Sequence, residues 1–299
     1  MHVFVTGATG FVGSATVGAL IAGGHSVLGL ARSDAGAAAL TAAGAQVHLG
    51  TLEDLDSLRR GAALAEGVIH TAFIHGFSDY AEFVANCEID RLAIEAMGEA
   101  MAGTDRPLVV TSGTAMLAPP GGLATEDTVV PPGAPMPRVS EATGVALAAR
   151  GVRGMAVRLP PSVHGAGDHG FVPTLIGVAR EKGVSAYIGD GSNRWSSVHR
   201  LDAAQAYRLI LEKGVAGTRY HAIDEEGVPF RAIAEAVGKG LGVPVVSLTP
   251  EQAAEHFGFF AMFAGMHAAA SSAKTREALG WRPMQARLLE DMAAHYFGG

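Results

Sequence analysis

Apolar and polar positions along the first 160 residues follow two alternating periods. Short runs of consecutive apolar residues, typical of strands buried on both faces, are separated by stretches whose apolar residues recur at helical spacing. The runs predict strands at 3–5, 26–30, 46–49, 67–72, 107–111 and 155–159. The spacing predicts helices at 11–21, 35–43, 79–101 and 139–150. This alternation predicts an α/β fold, a doubly wound parallel sheet with helices on both faces.

A glycine-rich turn joins the first predicted strand to the first helix. It reads Thr6-Gly7-Ala8-Thr9-Gly10-Phe11-Val12-Gly13. Gly7 allows a tight turn, Gly10 lets the backbone approach a pyrophosphate, and Gly13 allows close packing of helix on strand. The free N–H groups of the helix N-terminus favour an anion there. The sequence therefore predicts a Rossmann-like dinucleotide site, with Gly7, Thr9, Gly10, Phe11, Val12 and Gly13 around the phosphates.

The end of the second predicted strand indicates which dinucleotide is bound. An acidic residue at this strand tip grips the adenosine ribose of NAD, but Ala31 occupies the position here and Arg32 and Ser33 follow. A guanidinium beside a hydroxyl suits a 2′-phosphate, because Arg binds phosphate with two hydrogen bonds. We therefore expect NADP(H) in preference to NAD(H). The alternative is an exposed loop arginine followed by a helix N-cap at Ser33 or Asp34.

The pattern changes after residue 161 and becomes mostly helical. Helices are predicted at 171–182, 201–213, 230–241, 250–257, 271–279 and 286–297, and strands at 185–188, 220–223 and 243–248. Segment 220–223 is expected to return to the sheet. No polar linker is visible, so we predict an NADP-binding domain of residues 1–165 plus about 198–225 and a smaller, mostly helical substrate-binding cap of about 166–197 plus 226–299.

Composition excludes several classes of protein. The chain is 48% hydrophobic and 17% charged, with a net charge of −7 and no basic stripe, which argues against a nucleic-acid partner. No apolar run reaches the roughly 20 residues of a membrane span, and the first strand leaves no room for a signal peptide. Histidines and acids show no metal-ligand spacing, and the single cysteine, Cys87, excludes an internal disulfide. We expect a cytoplasmic protein with a small-molecule substrate and no bound metal.

Several segments, in order, resemble extended short-chain dehydrogenases/reductases, the NAD-dependent epimerase/dehydratase group. The glycine turn is similar to the T-G-x-x-G-x-x-G loop of that family. Further matches are 68–72 (V-I-H-T-A), 157–165 (V-R-L-P-P-S-V-H-G), 198–202 (V-H-R-L-D) and 279–283 (L-G-W-R-P). The resemblance implies cofactor contacts from Thr71, Ala72, Phe73, Pro160, Ser162 and Val163. It also implies a homodimer formed through two long helices of the sheet domain.

The chain departs from this family at the catalytic residues. The family uses a Tyr-x-x-x-Lys pair in which the lysine lowers the tyrosine pKa and the tyrosine exchanges a proton with substrate. Aligning Ser140-Glu141 with the family's Ser-Lys places Pro137 at the tyrosine and Glu141 at the lysine. Neither residue can perform that chemistry. The upstream segment 111–114 (T-S-G-T) keeps hydroxyls, although the family's catalytic position falls on Gly113. The chain therefore resembles the atypical members of the superfamily.

Other residues are candidates to replace the missing acid. Thr111, Ser112 and Thr114 follow the fifth strand and could polarise a carbonyl, or simply cap the strand. His75 has an ordinary pKa suited to proton donation near neutrality, and Tyr80 would reach the site if the loop 74–79 folds over it. Glu141 is expected to be solvated or paired with an arginine, and His164 to be a packing residue.

These observations leave three hypotheses. The leading one is an NADP(H)-dependent oxidoreductase that reduces a carbonyl or imine of a small, fairly apolar substrate, under an apolar cluster at 257–266 that otherwise forms ordinary core. The second is a catalytically silent NADP-sensing or partner-binding module, suggested by the missing pair. The third is a sugar-nucleotide epimerase or dehydratase, which both the absent pair and the expected NADP preference count against.

Overall fold

The computed structural model describes residues 1–75, 80–130 and 137–298. Its strands are β1 His2–Thr6, β2 Ser26–Ala31, β3 Gln46–Leu49, β4 Gly67–His70, β5 Pro107–Gly113, β6 Arg153–Leu159, β7 Ser162–His164, β8 Ser185–Ile188, β9 Arg194–His199, β10 Arg219–His221, β11 Glu225–Pro229 and β12 Val245–Leu248.

The helices lie between these strands and after them. They are α1 Phe11–Ala22, α2 Asp34–Ala42, α3 Leu55–Leu64, α4 Tyr80–Met101, α5 Ser140–Ala146, α6 Phe171–Lys182, α7 Arg200–Lys213, α8 Phe230–Leu241, α9 Pro250–Phe257, α10 Ala261–Ala264, α11 Ala273–Leu279 and α12 Leu288–His295. Single 3-10 turns occupy Leu147–Arg150 and Gly258–Phe260.

Seven parallel strands form the central sheet in the order β10-β6-β5-β4-β1-β2-β3. The order reverses between β1 and β4, which opens a crevice at the carboxyl ends of these two strands. The predicted α/β class and parallel sheet are confirmed, including the return of segment 220–223 to the sheet as β10 beside β6.

Alternating side chains of the sheet build two separate cores. Val5, Ile69 and Val109 pack with α1, α2 and α7 on one face. Phe4 and Val110 pack with α3, α4 and α5 on the other. Continuous apolar runs were therefore a correct sign of strands covered on both sides.

The remaining elements form a third core built around Trp195, which is fully buried. Two small sheets belong to this region, one in the order β11-β9-β7 and one pairing β12 with β8. The strands β7, β9 and β11 were not predicted, because none of them has a continuous apolar run in its sequence. The helix predicted at 139–150 is α-helical only to Ala146 and ends in a 3-10 turn. The division into two domains stays a prediction.

No helix in the described residues is long and apolar enough to cross a membrane.

Candidate active site

The glycine turn leaves no room for side chains. Gly7 has φ +66°, and a Cβ on it would lie 2.7 Å from the backbone nitrogen of Ala72. A Cβ on Gly13 would lie 1.9 Å from the carbonyl oxygen of Gly7. The turn is closed by a hydrogen bond of 2.9 Å from the Gly10 N–H to that same oxygen. Only glycine fits these positions, so the backbone itself lines the crevice.

The N-terminus of α1 opens directly into this crevice. Its N-cap, Gly10, has no side-chain hydrogen bond, so the first N–H groups of the helix are free to bind an anion. Thr71 supports the other wall by donating its hydroxyl to the Thr6 carbonyl at 2.7 Å. The geometry fits the pyrophosphate of a dinucleotide, and Thr71 and Ala72 lie against the glycine turn. Their contact with a cofactor stays a prediction.

Two further basic side chains stand at the rim of the crevice. The guanidinium of Arg200 lies 5.0 Å from the ring centre of Phe11, and the ring of His169 contacts Phe11 edge-on at 5.8 Å. The guanidinium of Arg200 makes no hydrogen bond or ion pair within the described ranges, so it is available to a bound anion. Sequence reasoning missed both residues. Arg200 lies in the matched segment 198–202, which was the available signal.

Arg32 lies at the end of β2, exposed and without a hydrogen bond or ion pair in the part of the chain that the structure describes. Ser33 is the N-cap of α2 and accepts a hydrogen bond from the Gly36 N–H at 3.2 Å. A Cβ on Gly36 would lie 3.5 Å from Thr9, which places this corner beside the glycine turn. Ser33 therefore has the capping role that was its alternative, and Arg32 remains a free cation at the crevice.

Arg138 occupies the region between the ends of β4 and β5. Its guanidinium carbon lies 4.0 Å from the ring centre of Phe73, within cation–π range. Its Nε donates to the Ser140 hydroxyl at 3.0 Å, and one Nη donates to the carbonyl oxygen of Thr111 at 3.3 Å. Arg138 directly follows Pro137, the residue aligned with the family's tyrosine. The sequence pattern gave Arg138 no role at the site.

A buried chain of hydrogen bonds runs behind Arg138. The Ser140 hydroxyl donates to Asp90 at 2.5 Å, and His70 Nε2 donates to the other Asp90 oxygen at 3.0 Å. His70 Nδ1 lies 2.7 Å from the hydroxyl of Thr6, the residue before the glycine turn. Burial alone would raise the pKa of Asp90, but the bond and charge of His70, with Arg138 and Ser140, lower it below the ordinary value. Asp90 is therefore a buried carboxylate.

Glu141 points away from this region. It forms a double ion pair with Arg158, with N–O distances of 2.6 and 2.7 Å, and Arg219 binds the same carboxylate at 2.6 Å. Burial opposes ionisation, yet these bonds hold the pKa of Glu141 below its ordinary value. The expected pairing with an arginine is present, but the partners are Arg158 and Arg219. A carboxylate held ionised by two cations is a poor proton donor.

The hydroxyls after β5 have different surroundings. Thr111 donates to the His70 carbonyl and shares a 2.7 Å contact with the hydroxyl of Tyr207, so its oxygen is occupied. Thr114 is fully buried, and its backbone N–H donates to the Leu159 carbonyl at 2.9 Å. Ser112 is partly exposed, and its hydroxyl makes no hydrogen bond to any described residue. Of the three, Ser112 has the hydroxyl that is free to contact a ligand.

His75 and Tyr80 flank residues 76–79, which lie outside the described residues, so the expected closure of the loop 74–79 is not tested. The His75 ring packs edge-on against Phe73 at 5.2 Å and keeps one side exposed. Desolvation by this packing, followed by the charge of Arg138, lowers the pKa of His75 below 6.5. This environment favours the neutral form of His75. Tyr80 begins α4 and is 66% exposed.

The segment after β6 follows the sheet edge. Pro160 and Ser162 are buried and Val163 is partly buried. The Ser162 hydroxyl has no hydrogen-bond partner in the described structure, although it is shielded from solvent. His164 is buried as predicted and hydrogen-bonds Asp291 of α12 at 2.9 Å. It therefore ties the C-terminal helix to β7.

The apolar cluster predicted at 257–266 divides in two. Phe260 and Phe263 pack against Phe171 with ring centres 5.2 and 4.8 Å away, inside the third core. Phe259 and Met262 are exposed by 72% and 57%. Part of the cluster is thus ordinary core, and part is an apolar surface.

The parallel sheet reverses its strand order beside a glycine turn that has no room for side chains. This arrangement defines a dinucleotide-binding α/β protein of the Rossmann class. The chain belongs to the NAD dependent epimerase/dehydratase family, whose model matches residues 3–223.

Known relatives agree with this assignment. A protein of Schizosaccharomyces pombe named as uncharacterized is 52% identical over 295 residues, covering 98% of this chain and 99% of the relative. The 4-hydroxy-2-methyl-3-oxo-4-farnesyl-3,4-dihydroquinoline-1-oxide ketoreductase of Stigmatella aurantiaca is 30% identical and covers 86% of this chain and 80% of its own. In fold, the dTDP-glucose 4,6-dehydratase of Streptomyces venezuelae, solved with NAD, matches with a TM-score of 0.78, 20% identity, and coverage of 98% and 95%.

Proposed function

We propose that this protein is an NADP(H)-dependent oxidoreductase that reduces the carbonyl, or a related imine, of a small and fairly apolar substrate. One observation carries the proposal: an intact glycine turn, closed to any Cβ at Gly7 and Gly13, faces the polar ends of β4 and β5. The family assignment supports redox chemistry, and the ketoreductase relative supports a carbonyl on a largely apolar molecule.

The preference for NADP(H) rests on Arg32. Its exposed side chain directly follows β2, and Gly36 of the next helix lies beside Thr9 of the glycine turn, so a 2′-phosphate on the adenosine ribose would meet Arg32 at this corner. By contrast, Arg158 is neutralised by its ion pair with Glu141 and would attract a phosphate only weakly. A free arginine at this strand tip favours the phosphorylated cofactor.

The bound cofactor would supply the hydride, so the protein's task is to hold and orient the two reactants. The α1 N-terminus and the rim cation Arg200 hold the pyrophosphate. Thr71, Ala72 and Phe73 lead from the glycine turn toward Arg138 and the free hydroxyl of Ser112. We propose that these last two groups hydrogen-bond a substrate oxygen, which is supported by the absence of any described partner for the Ser112 hydroxyl.

The test is turnover of purified protein. We expect loss of NADPH absorbance with aliphatic and aromatic ketones, aldehydes and cyclic imines, and at least tenfold lower kcat/KM with NADH. Absence of NADPH consumption across the whole panel would reject the reductase.

The second candidate is a protein that binds NADP without catalysing a reaction. It is favoured because Glu141, at the position of the family's lysine, is held in ion pairs with Arg158 and Arg219. Tight NADPH binding without turnover, together with a co-purifying partner, would select it over the reductase.

A further inference from the structure

We propose that Arg138 binds the carbonyl oxygen of the substrate, with Ser140 and Asp90 as its positioning residues. The inference rests on the proposed reductase function. It assigns to one guanidinium the electrophilic role that the family's tyrosine would otherwise perform.

Arg138 is fixed from three sides. The ring of Phe73 lies beneath the guanidinium at 4.0 Å, the hydroxyl of Ser140 accepts from Nε at 3.0 Å, and the Thr111 carbonyl accepts from one Nη at 3.3 Å. Only part of the side chain reaches solvent. The second Nη makes no hydrogen bond to any described residue. A fixed, partly desolvated guanidinium with a free N–H edge is a preorganised donor for an oxyanion.

Among the described residues, no acid makes direct contact with the guanidinium of Arg138. The nearest carboxylate in its hydrogen-bonded chain, Asp90, is reached only through Ser140, and its other oxygen is bound to His70. Arg158 offers the contrast, because Glu141 grips it with both oxygens. Arg138 therefore retains attraction for a developing negative charge, whereas Arg158 does not.

The chain behind Arg138 has a fixed direction. Asp90 is an ionised carboxylate and can only accept hydrogen bonds, so the Ser140 hydroxyl must donate to it. A lone pair of the Ser140 oxygen then accepts the hydrogen bond from the Arg138 Nε–H. His70 locks the other Asp90 oxygen from β4. The rotamer of Arg138 is thereby linked to α4, α5 and the strand that carries Thr71, the wall of the cofactor crevice.

The reaction step balances with water as the proton source. Bound NADPH would supply a hydride to the carbonyl carbon and be oxidised to NADP⁺. The π electrons move to the carbonyl oxygen, and the resulting alkoxide pairs with the guanidinium. Water then protonates the alkoxide and hydroxide leaves to solvent. Arg138 gives up no proton, because a guanidinium stays charged at any physiological pH.

The first arm of the test measures turnover with the best carbonyl from the panel. We expect R138A and R138Q to lower kcat at least about 100-fold with little change in NADPH affinity. Guanidinium chloride, at concentrations too low to unfold the protein, should restore part of the activity of R138A. It should not restore the activity of S140A. We expect the kcat of S140A to fall about 10-fold, because Arg138 is present in this variant but loosely held. R150A, an exposed arginine of the following turn, is the control.

The second arm needs no substrate. Acetate or benzoate, as mimics of the oxyanion, should raise the melting temperature of the NADP⁺-loaded wild type and R150A but not of R138A or R138Q. If the wild type turns over nothing, the reductase function fails, and this arm alone still decides whether Arg138 binds anions. Wild-type kcat in R138A and R138Q, or carboxylate binding equal to wild type in both, would overturn the proposal. If R138A does not fold, R138Q and R138K decide it, with R138K expected to keep anion binding.

Discussion

Glu141 of α5 and Arg158 of β6 form a bidentate ion pair at N–O distances of 2.6 and 2.7 Å, and Glu141 stands at the position aligned with the family's catalytic lysine. Arg158 is fully buried, and its remaining N–H groups bind His221 and the Thr128 carbonyl. Position 141 therefore carries an anion that neutralises an interior arginine, where the family carries a lysine that binds the cofactor. It contributes to folding in place of catalysis.

Removing that anion should destabilise the protein. E141Q leaves Arg158 buried without its partner, so we expect a loss of about 3 kcal/mol in the free energy of unfolding. Urea denaturation measures it. The control is E95Q, which breaks a partly exposed pair with Arg91 and should cost far less, because solvent screens that pair. Equal losses for the two variants would contradict a structural role for Glu141.

Two glycines of α1 should respond in opposite ways to alanine. The Cβ of G13A would collide with the Gly7 carbonyl at 1.9 Å, so the turn must open and NADPH affinity should fall by at least about tenfold. Gly18, exposed on the same helix, has nothing within 4 Å of an added Cβ. G18A should keep NADPH affinity and gain about 0.5–1 kcal/mol of stability. Fluorescence titration and urea denaturation report the two quantities.

Arg32 should set the choice between the two cofactors. R32A removes the cation facing the 2′-phosphate, and we expect NADPH affinity to fall about 10- to 100-fold, the effect of one lost charged hydrogen-bond pair. NADH affinity should be unchanged, because NADH lacks that phosphate. Isothermal titration with both cofactors tests this. Equal affinities for the two cofactors in the wild type would remove the basis of the NADP assignment.

Arg200 should act on both cofactors alike. It stands over Phe11 at the pyrophosphate end of α1, and the pyrophosphate is common to NADPH and NADH. We expect R200A to weaken both by a similar factor of about 5 to 10, corresponding to one exposed charged contact. R180A, an exposed arginine on α6, is the control variant. A loss confined to NADPH would place Arg200 at the 2′-phosphate instead.

Acid should destabilise the protein partly through Asp90. Its folded-state pKa is lowered, so its contribution to stability is fully present above the ordinary value of about 3.9 and is lost as the pH falls through the folded-state value. We expect the free energy of unfolding of the wild type to decline below about pH 4, and D90N to be less stable at pH 7 with a shallower decline. Urea denaturation from pH 3 to 7 measures both slopes. If the free energy of unfolding falls with the same slope in the wild type and D90N, the partners of Asp90 do not lower its pKa.

The sequence by itself determined the sheet, the glycine turn and the family. Parallel strands covered on both faces need continuous apolar runs, and helices between them need the 3.6-residue period, so local pattern and global fold coincide there. Gly7, Gly10 and Gly13 can be recognised from their spacing after the first strand, although the backbone that crowds Gly7 belongs to Ala72, far along the chain.

Only the tertiary structure decided which polar side chains stand together. Arg138, Ser140, Asp90 and His70 come from α4, α5, β4 and the loop before α5, and their bonds span up to 50 residues. No periodicity in the sequence reports such contacts. The strands β7, β9 and β11 were not predicted either, because their sequences lack a continuous apolar run and only their pairing in the tertiary structure defines them. Glu141 shows it most directly: its residue type excluded the family's chemistry, but only the positions of Arg158 and Arg219 revealed what it does instead.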